Sequence, residues 1–183
     1  IGIRDRIGCG PVIGSIDVAE PEVLAVTSAT VTTPIACNGG TGTVTIVATG
    51  GTAPYSYTFN GETNDTGIFT GVSAGPSQGY SVTDQNGCGP VTGSIDVAEP
   101  EVLAVTSATV TTPIVCNGGT GTVTIVATGG TAPYSYTFNG ETNDTGIFTG
   151  VSAGLSRGYS VTDANGCDTV TGTIDVAEPE AIS

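Results

Sequence analysis

The sequence contains no histidine, lysine, methionine or tryptophan, and only three arginines, Arg4, Arg6 and Arg157. Without histidine or lysine, no side chain is suited to act near neutral pH as general base for a serine or cysteine nucleophile. Paired carboxylates such as Asp65 and Asp84 are the groups used in glycoside hydrolysis. Because the residues around them occur in two near-identical copies, we expect the protein not to be an enzyme.

Positive charge is almost missing, since 17 acidic residues against three basic ones give a net charge of -14. Such a chain repels phosphate backbones, and this excludes nucleic acid as an expected partner. Anionic membrane surfaces are disfavoured for the same reason. No apolar run approaches the roughly 20 residues that cross a bilayer, so no membrane insertion is expected.

What the sequence does contain is threonine, valine and glycine, with 29 Gly, 10 Pro and a hydrophobic fraction of 38%. Threonine and valine favour strands because their branched side chains are stiff and fit a pleated surface. The hydrophobic fraction is too high for a disordered acidic tail. The composition therefore predicts an all-β fold with many turns.

An internal repeat organises the chain. The stretch Cys37–Phe59 recurs with every residue unchanged at Cys116–Phe138, 79 residues later. This period is too long for a solenoid unit of about 20–50 residues and suits a β-sandwich slightly smaller than an immunoglobulin domain of about 100 residues. We predict tandem immunoglobulin-like β-sandwich domains in an extended rod. The predicted boundaries are 1–22 for the end of a preceding repeat, 23–101 and 102–180 for two full repeats, and 181–183 for the start of a following one.

Only seven positions differ when residues 21–99 are compared with residues 100–178. They are Ala36/Val115, Pro76/Leu155, Gln78/Arg157, Gln85/Ala164, Gly89/Asp168, Pro90/Thr169 and Ser94/Thr173.

Alternating apolar residues predict the strands within one repeat. A glycine, proline and serine loop is predicted at 73–79. Asn60-Gly61 is typical of a two-residue hairpin turn in which both residues have positive φ, and Asn86-Gly87 predicts a second turn. The predicted strands are Val23–Val31, Thr43–Thr49, Tyr55–Phe59, Ile68–Val72, Tyr80–Thr83 and Val91–Val97.

The aromatic row Tyr55, Tyr57 and Phe59 occupies one face of its predicted strand. We interpret this row as sandwich core, with a sugar-stacking platform as the alternative.

Between the repeats, the segment 98–101 reads Ala-Glu-Pro-Glu. It is short, and proline restricts both itself and the residue before it, so we expect a stiff joint.

Five cysteines are present, and Cys37 and Cys88 are separated by 51 residues, as are Cys116 and Cys167. In a small secreted domain this spacing predicts one disulfide within each repeat, and buried reduced thiols are the alternative. Two cysteines per repeat without histidine cannot complete a zinc site. Cys9 has the register of Cys88, so we expect it to be unpaired within this chain, with its partner upstream or in a neighbouring chain.

The combined motif resembles the repeat of SprB-type gliding-motility adhesins. The resemblance rests on Cys-Asn-Gly-Gly, then Gly-Gly-Thr-Ala-Pro-Tyr-Ser-Tyr-Thr-Phe, then Tyr-Ser-Val-Thr-Asp-Gln-Asn-Gly-Cys and a closing Glu-Pro. The third strand of that family usually ends in tryptophan, where this chain has Phe59 and Phe138. The resemblance implies an immunoglobulin-like sandwich, type IX secretion and display as long cell-surface filaments, and it carries over no catalytic residues.

The sequence also suggests two kinds of minor site, one for calcium and one for glycans. Asp96, Glu99 and Glu101 at the joint are calcium candidates, the only cofactor considered, with solvated surface acids as the alternative. Asn64 and Asn143 fit the N-glycan sequon, although turn chemistry explains them equally well, and Thr169 resembles a bacterial O-glycan site.

Together these features predict a structural or adhesive segment of a long extracellular, cell-surface adhesin, which acts as a stiff, disulfide-stapled stalk. The expected partners are neighbouring repeats of the same or identical chains and surface polysaccharide. The alternatives are a self-assembling filament subunit joined by strand donation and a carbohydrate-binding module.

Overall fold

The computed structural model describes residues 13–182, which contain fourteen strands and no helix. The first repeat contributes β1 (Ala25–Thr33), β2 (Gly42–Thr49), β3 (Ser56–Phe59), β4 (Glu62–Asn64), β5 (Ile68–Val72), β6 (Gly75–Thr83) and β7 (Val91–Val97). The second contributes β8 (Ala104–Thr112), β9 (Gly121–Thr128), β10 (Ser135–Phe138), β11 (Glu141–Asn143), β12 (Ile147–Val151), β13 (Gly154–Thr162) and β14 (Val170–Val176).

Each repeat forms two antiparallel sheets. In the first repeat, the three-stranded sheet has the order β1-β2-β5 and the four-stranded sheet the order β4-β3-β6-β7. The second repeat has the same two sheets, β8-β9-β12 and β11-β10-β13-β14. Strands distant in sequence are neighbours, as β2 and β5 are, so that the chain crosses between the two sheets. The predicted fold class, a tandem of immunoglobulin-like β-sandwiches, is confirmed.

The core of each sandwich lies between its two sheets. Val44 and Ile46 alternate inward from β2, while Tyr57 and Phe59 do so from β3. The rings of Phe59 and Phe69 pack with their centroids 5.4 Å apart. The equivalent residues of the second repeat form a separate cluster of the same composition. Each repeat therefore has its own hydrophobic core.

The aromatic row belongs to this core, as predicted. Tyr57 and Phe59 are buried, and Tyr55 is half-buried against them. The Tyr55 hydroxyl donates a hydrogen bond of 2.7 Å to the carbonyl of Gly50 at the rim. Because the rings face inward, this row offers no platform on which a sugar could stack.

The hairpin between β3 and β4 confirms the first turn. Asn60 and Gly61 have φ angles of 48° and 88°, the left-handed conformation that both positions of this turn require. The short strand β4 that follows was not among the predicted strands.

The predicted loop at 73–79 is wrong, because β6 begins at Gly75 and continues to Thr83. A register shift between Gly75 and Gln78 marks a β-bulge, where Ser77 has a φ of 49°. Asp96 accepts the Ser77 amide at 2.6 Å. The small and turn-forming residues of this segment therefore form a β-bulge within a strand rather than a loop.

The seven differences between the repeats all lie outside the buried core clusters. Gln78 donates from its amide to the Ser73 carbonyl at 2.9 Å. In the second repeat Arg157 takes its place and donates to the neighbouring Ala153 carbonyl at 2.6 Å. The exchange therefore keeps a side-chain donor to the same backbone segment.

Replacing Phe59 by alanine should lower the free energy of unfolding of the first repeat by about 3–5 kcal/mol, since it leaves a cavity in a closed core. Urea unfolding of the variant measures this loss. The matched control is Ile68→Ala on the adjacent sheet, where the side chain is 50% exposed. Equal losses for the two variants would contradict the assignment of Phe59 to the core.

The inter-repeat joint as candidate functional site

Each sandwich has two distinct ends. We call the end where the chain enters the N-terminal pole, marked in the first repeat by the hydrogen bond from the Gly51 amide to the Glu22 carbonyl. The end next to the following linker is the C-terminal pole, marked by Asn38 and Gly39 in the loop between β1 and β2. The nine residues of β1 run from one pole to the other.

Both repeats hold the linker between them through its backbone and one carboxylate. The Asn38 amide donates to the Pro100 carbonyl at 3.0 Å, and the Gly39 N–H donates to the Glu99 carboxylate at 2.6 Å. From the second repeat, the Gly130 N–H donates to the Glu101 carbonyl at 2.7 Å. Three consecutive linker residues are thus held by hydrogen bonds from the two repeats.

A disulfide crosses this joint. Cys37 at the C-terminal pole of the first repeat is bonded to Cys167 at the N-terminal pole of the second, with their Cα atoms 5.5 Å apart. Beside it, the Asn165 amide donates to the Ala36 carbonyl at 2.9 Å. The two repeats are therefore connected by the linker, by a covalent bond and by a direct hydrogen bond.

The predicted pairing of cysteines within each repeat differs from this arrangement. Cys88 and Cys116 are exposed and have no disulfide partner among the residues described. Cys37 lies at one pole of its sandwich and Cys88 at the other, so a nine-residue strand of about 30 Å separates their positions. A disulfide requires Cα atoms about 4.4–6.8 Å apart, a distance that these poles exclude. Cys9, predicted to be unpaired within the chain, lies outside the described residues.

A buried aspartate positions the cysteine of each N-terminal pole. The Asp84 carboxylate accepts the Thr52 N–H at 2.9 Å, the Asn86 N–H at 3.0 Å and the Cys88 N–H at 2.7 Å. Burial opposes ionisation of Asp84, but the N–H groups of Cys88, Thr52 and Asn86 outweigh it and lower the pKa of this carboxyl.

The second repeat builds the same arrangement around Asp163, which accepts the Thr131 and Cys167 N–H groups at 2.9 Å each. Because Cys167 carries the disulfide, this aspartate holds the backbone from which the covalent bond across the joint extends. From the sequence, Asp84 was considered only as one of a pair of carboxylates that an enzyme could use. The spacing Asp-x-Asn-Gly-Cys was the available signal for its role.

Two of the three calcium candidates use their carboxylates to accept backbone N–H groups. Asp96 accepts the Ser77 N–H, and Glu99 accepts the Gly39 N–H. At Glu101 it is the backbone carbonyl that accepts a hydrogen bond, from the Gly130 N–H. Within residues 13–182, no group of three or more acidic or cysteine side chains is placed to hold a metal ion.

The glycan candidates occupy two environments. The Asn64 side chain accepts the N–H groups of Thr66 and Gly67 at 3.0 and 2.8 Å and donates to the Ile68 carbonyl at 2.9 Å. Asn143 makes the equivalent bonds. These asparagines close turns, whereas Thr169 is exposed.

No helix within residues 13–182 is long and apolar enough to cross a membrane.

The fold and joint define a class of protein, a tandem array of immunoglobulin-like sandwiches linked end to end. The SprB repeat family model matches residues 29–64 and 108–143. One segment of each repeat thus matches the SprB repeat model, in agreement with the sequence motifs.

One similar solved structure is the C-terminal 282-residue fragment of intimin in complex with the translocated intimin receptor intimin-binding domain. The two chains are 17% identical, the TM-score is 0.44, and the alignment covers 83% of this chain. It spans 64% of the intimin fragment. No curated protein sequence matches the chain.

Asp84→Asn should destabilise the first repeat at neutral pH, because the amide NH₂ cannot accept one of the backbone N–H bonds. The native pKa of Asp84 is lowered. Its stabilising contribution is therefore complete above the unfolded-state pKa of about 3.9 and is lost as pH falls through the lower native value. Thermal unfolding between pH 7 and pH 2 checks this: the deficit of the variant should shrink with acid. The exposed Asp65→Asn is the control, and an equal, pH-independent loss in both variants would be contrary to this assignment.

Proposed function

We propose that this chain is a stalk segment of a long extracellular adhesin or fibre, in which each repeat acts as a bead and each joint as a stiff clamp. The SprB-type repeats support a place at the cell surface, and through them we extend the proposal to export by type IX secretion and a role in gliding motility. The proposed function is mechanical: the segment projects another part of the adhesin away from the cell.

The construction of the joint is the observation that carries this proposal. A flexible tether between domains is usually rich in glycine and serine and makes few contacts. Here the linker contains proline, and the loop at the C-terminal pole of the first repeat binds Glu99 and Pro100. The disulfide then adds a second covalent connection between the same two poles.

The contacts around the linker are reproduced after the second repeat, which supports a periodic stalk. The Asn117 amide donates to the Pro179 carbonyl at 3.1 Å, and the Gly118 N–H donates to the Glu178 carboxylate at 2.6 Å. These distances match those of Asn38 and Gly39 at the joint within 0.1 Å. Each repeat thus directs the chain that leaves it in the same way, and the angle between repeats would be constant along an array.

The near-identity of the copies also favours a stalk. None of the seven substitutions alters the buried core, and the two repeats keep the same strand order. A dedicated ligand site would distinguish one domain from its neighbours, whereas added length requires only that every copy fold and join in the same way.

The proposed clamp predicts that removing the disulfide loosens the joint without unfolding the repeats. In small-angle X-ray scattering, the Cys37→Ser/Cys167→Ser variant should show a broader distribution of interatomic distances than the unmodified protein. The matched control is Cys88→Ser/Cys116→Ser, which removes two cysteines and leaves the joint intact. Unchanged scattering from the first variant would argue against a disulfide-dependent clamp.

The surface role predicts that antibodies against these repeats label intact cells of the organism that produces them. External protease should remove the signal while a cytoplasmic marker protein stays intact. Labelling that requires permeabilised cells would refute the proposed location.

A further inference from the structure

We propose that a second copy of this chain docks end to end on the first, and that Cys116 of one copy forms a disulfide with Cys88 of the next. The C-terminal pole of the second repeat would meet the N-terminal pole of the first repeat of the following copy. This extends the proposed stalk from within one chain to between chains, but it rests on the geometry of the joint and not on the surface role.

The two exposed cysteines are the counterparts of the two cysteines that form the disulfide at the internal joint. Cys116 occupies in the second repeat the position that Cys37 occupies in the first, and Cys88 is the counterpart of Cys167. These two positions form the disulfide between the repeats. Cys116 lies at a C-terminal pole and Cys88 at an N-terminal pole, so only a second copy or a further repeat can bring such a pair together.

The groups surrounding each cysteine already have the conformation found at the joint. On the Cys116 side, Asn117 and Gly118 hold Pro179 and Glu178 as their counterparts hold Pro100 and Glu99. On the Cys88 side, Asp84 accepts the Cys88 N–H at 2.7 Å, as Asp163 accepts that of Cys167 at 2.9 Å. The two cysteine-bearing loops therefore need little reorganisation, and the adjustment on docking falls on the chain segments that meet beside them.

The two poles also offer a further hydrogen bond, with a donor at the N-terminal pole and an acceptor at the C-terminal pole. The Asn165 amide bonds both the Thr131 hydroxyl, at 3.1 Å, and the Ala36 carbonyl across the joint. Asn86 makes the equivalent bond to the Thr52 hydroxyl at 3.1 Å and makes no bond across a joint within the described chain. In the docked pair, its amide would donate to the Val115 carbonyl of the neighbouring copy.

Apolar surface would be covered as well. Val23 at the N-terminal pole of the first repeat is 87% exposed, whereas its counterpart Val102, next to the joint, is 64% exposed. Val115, which replaces Ala36, is 82% exposed at the opposite pole. Burial of part of these side chains would favour association.

The joint between chains would differ from the internal one by a break in the backbone. Where the internal linker has the peptide bond between Pro100 and Glu101, one copy would continue from Pro179 and the other would arrive at Glu22. Residues 13–22 and 181–182 carry no strand and are exposed, and at the docked joint the two segments would have to leave the junction in different directions.

The covalent step is a thiol–disulfide exchange with a small-molecule disulfide such as oxidised glutathione. One cysteine thiolate attacks it, releases one glutathione thiol and forms a mixed disulfide, which the second cysteine thiolate resolves by releasing the other. The two cysteines lose two electrons and two protons in total, and oxidised glutathione is reduced to two thiols.

Oxidation of the purified chain in a glutathione buffer tests the proposal. A Cys9→Ser background leaves Cys88 and Cys116 as the reactive thiols. Non-reducing electrophoresis should show a ladder of multimers of the 17.9 kDa chain. Peptide mass mapping should find the Cys88–Cys116 link in roughly tenfold excess over either symmetric link, because docking raises the effective concentration of this pair.

The pattern of links separates docking from random oxidation. Random collision would produce the mixed link only twice as often as each symmetric link, and this result would overturn the proposal, as would a failure to form multimers. Asn117→Ala should lower the yield several-fold, whereas Asp144→Asn, an exposed change in the turn between β11 and β12 of the same repeat, should leave it unchanged. Equal yields from these two variants would also count against docking. A chain that labels the cell surface yet forms no links would retain the proposed stalk role and lose this inference alone.

Discussion

The short reach of a disulfide, set against the length of one sandwich, determines how these repeats are connected. A bond that needs Cα atoms within about 7 Å cannot extend along a strand of about 30 Å. The two cysteines of a repeat therefore lie too far apart to pair with each other, and each is presented at a different pole. Because one pole of a repeat faces the opposite pole of its neighbour, the covalent bond falls between Cys37 and Cys167, where it orients domains rather than stabilising one of them.

Polar backbone contacts do most of the positioning at the joint. Asn38, Gly39 and Gly130 bind the linker, and Asp163 binds the amide of Cys167. Hydrogen bonds are directional, so such contacts specify an orientation more strictly than apolar burial would. Each repeat has its own hydrophobic cluster, and it can therefore keep its fold while its relation to the neighbour is set by the joint.

Local patterns in the sequence predicted the interior better than the joint. Alternation predicted the strand Thr43–Thr49, whose Val44 and Ile46 are buried, and Asn60-Gly61 identified its turn, because these signals depend on neighbours along the chain. The bulge in β6 was missed, since small residues at 75–79 are typical of loops as well as bulges. The pairing of Cys37 was missed for a different reason: separation along the sequence carries no information about which pole a loop reaches.

The disulfide at the joint also changes what a cut in the backbone would do. In most tandem arrays, cleavage of a linker by a protease severs the fibre at that point. Here a nick between Pro100 and Glu101 would leave the first repeat attached to the second through Cys37 and Cys167. Tension along the array would likewise be divided between two covalent paths at each such joint. A fibre of this construction would be parted only by cleavage and reduction together, so an oxidising environment would protect its most exposed segments.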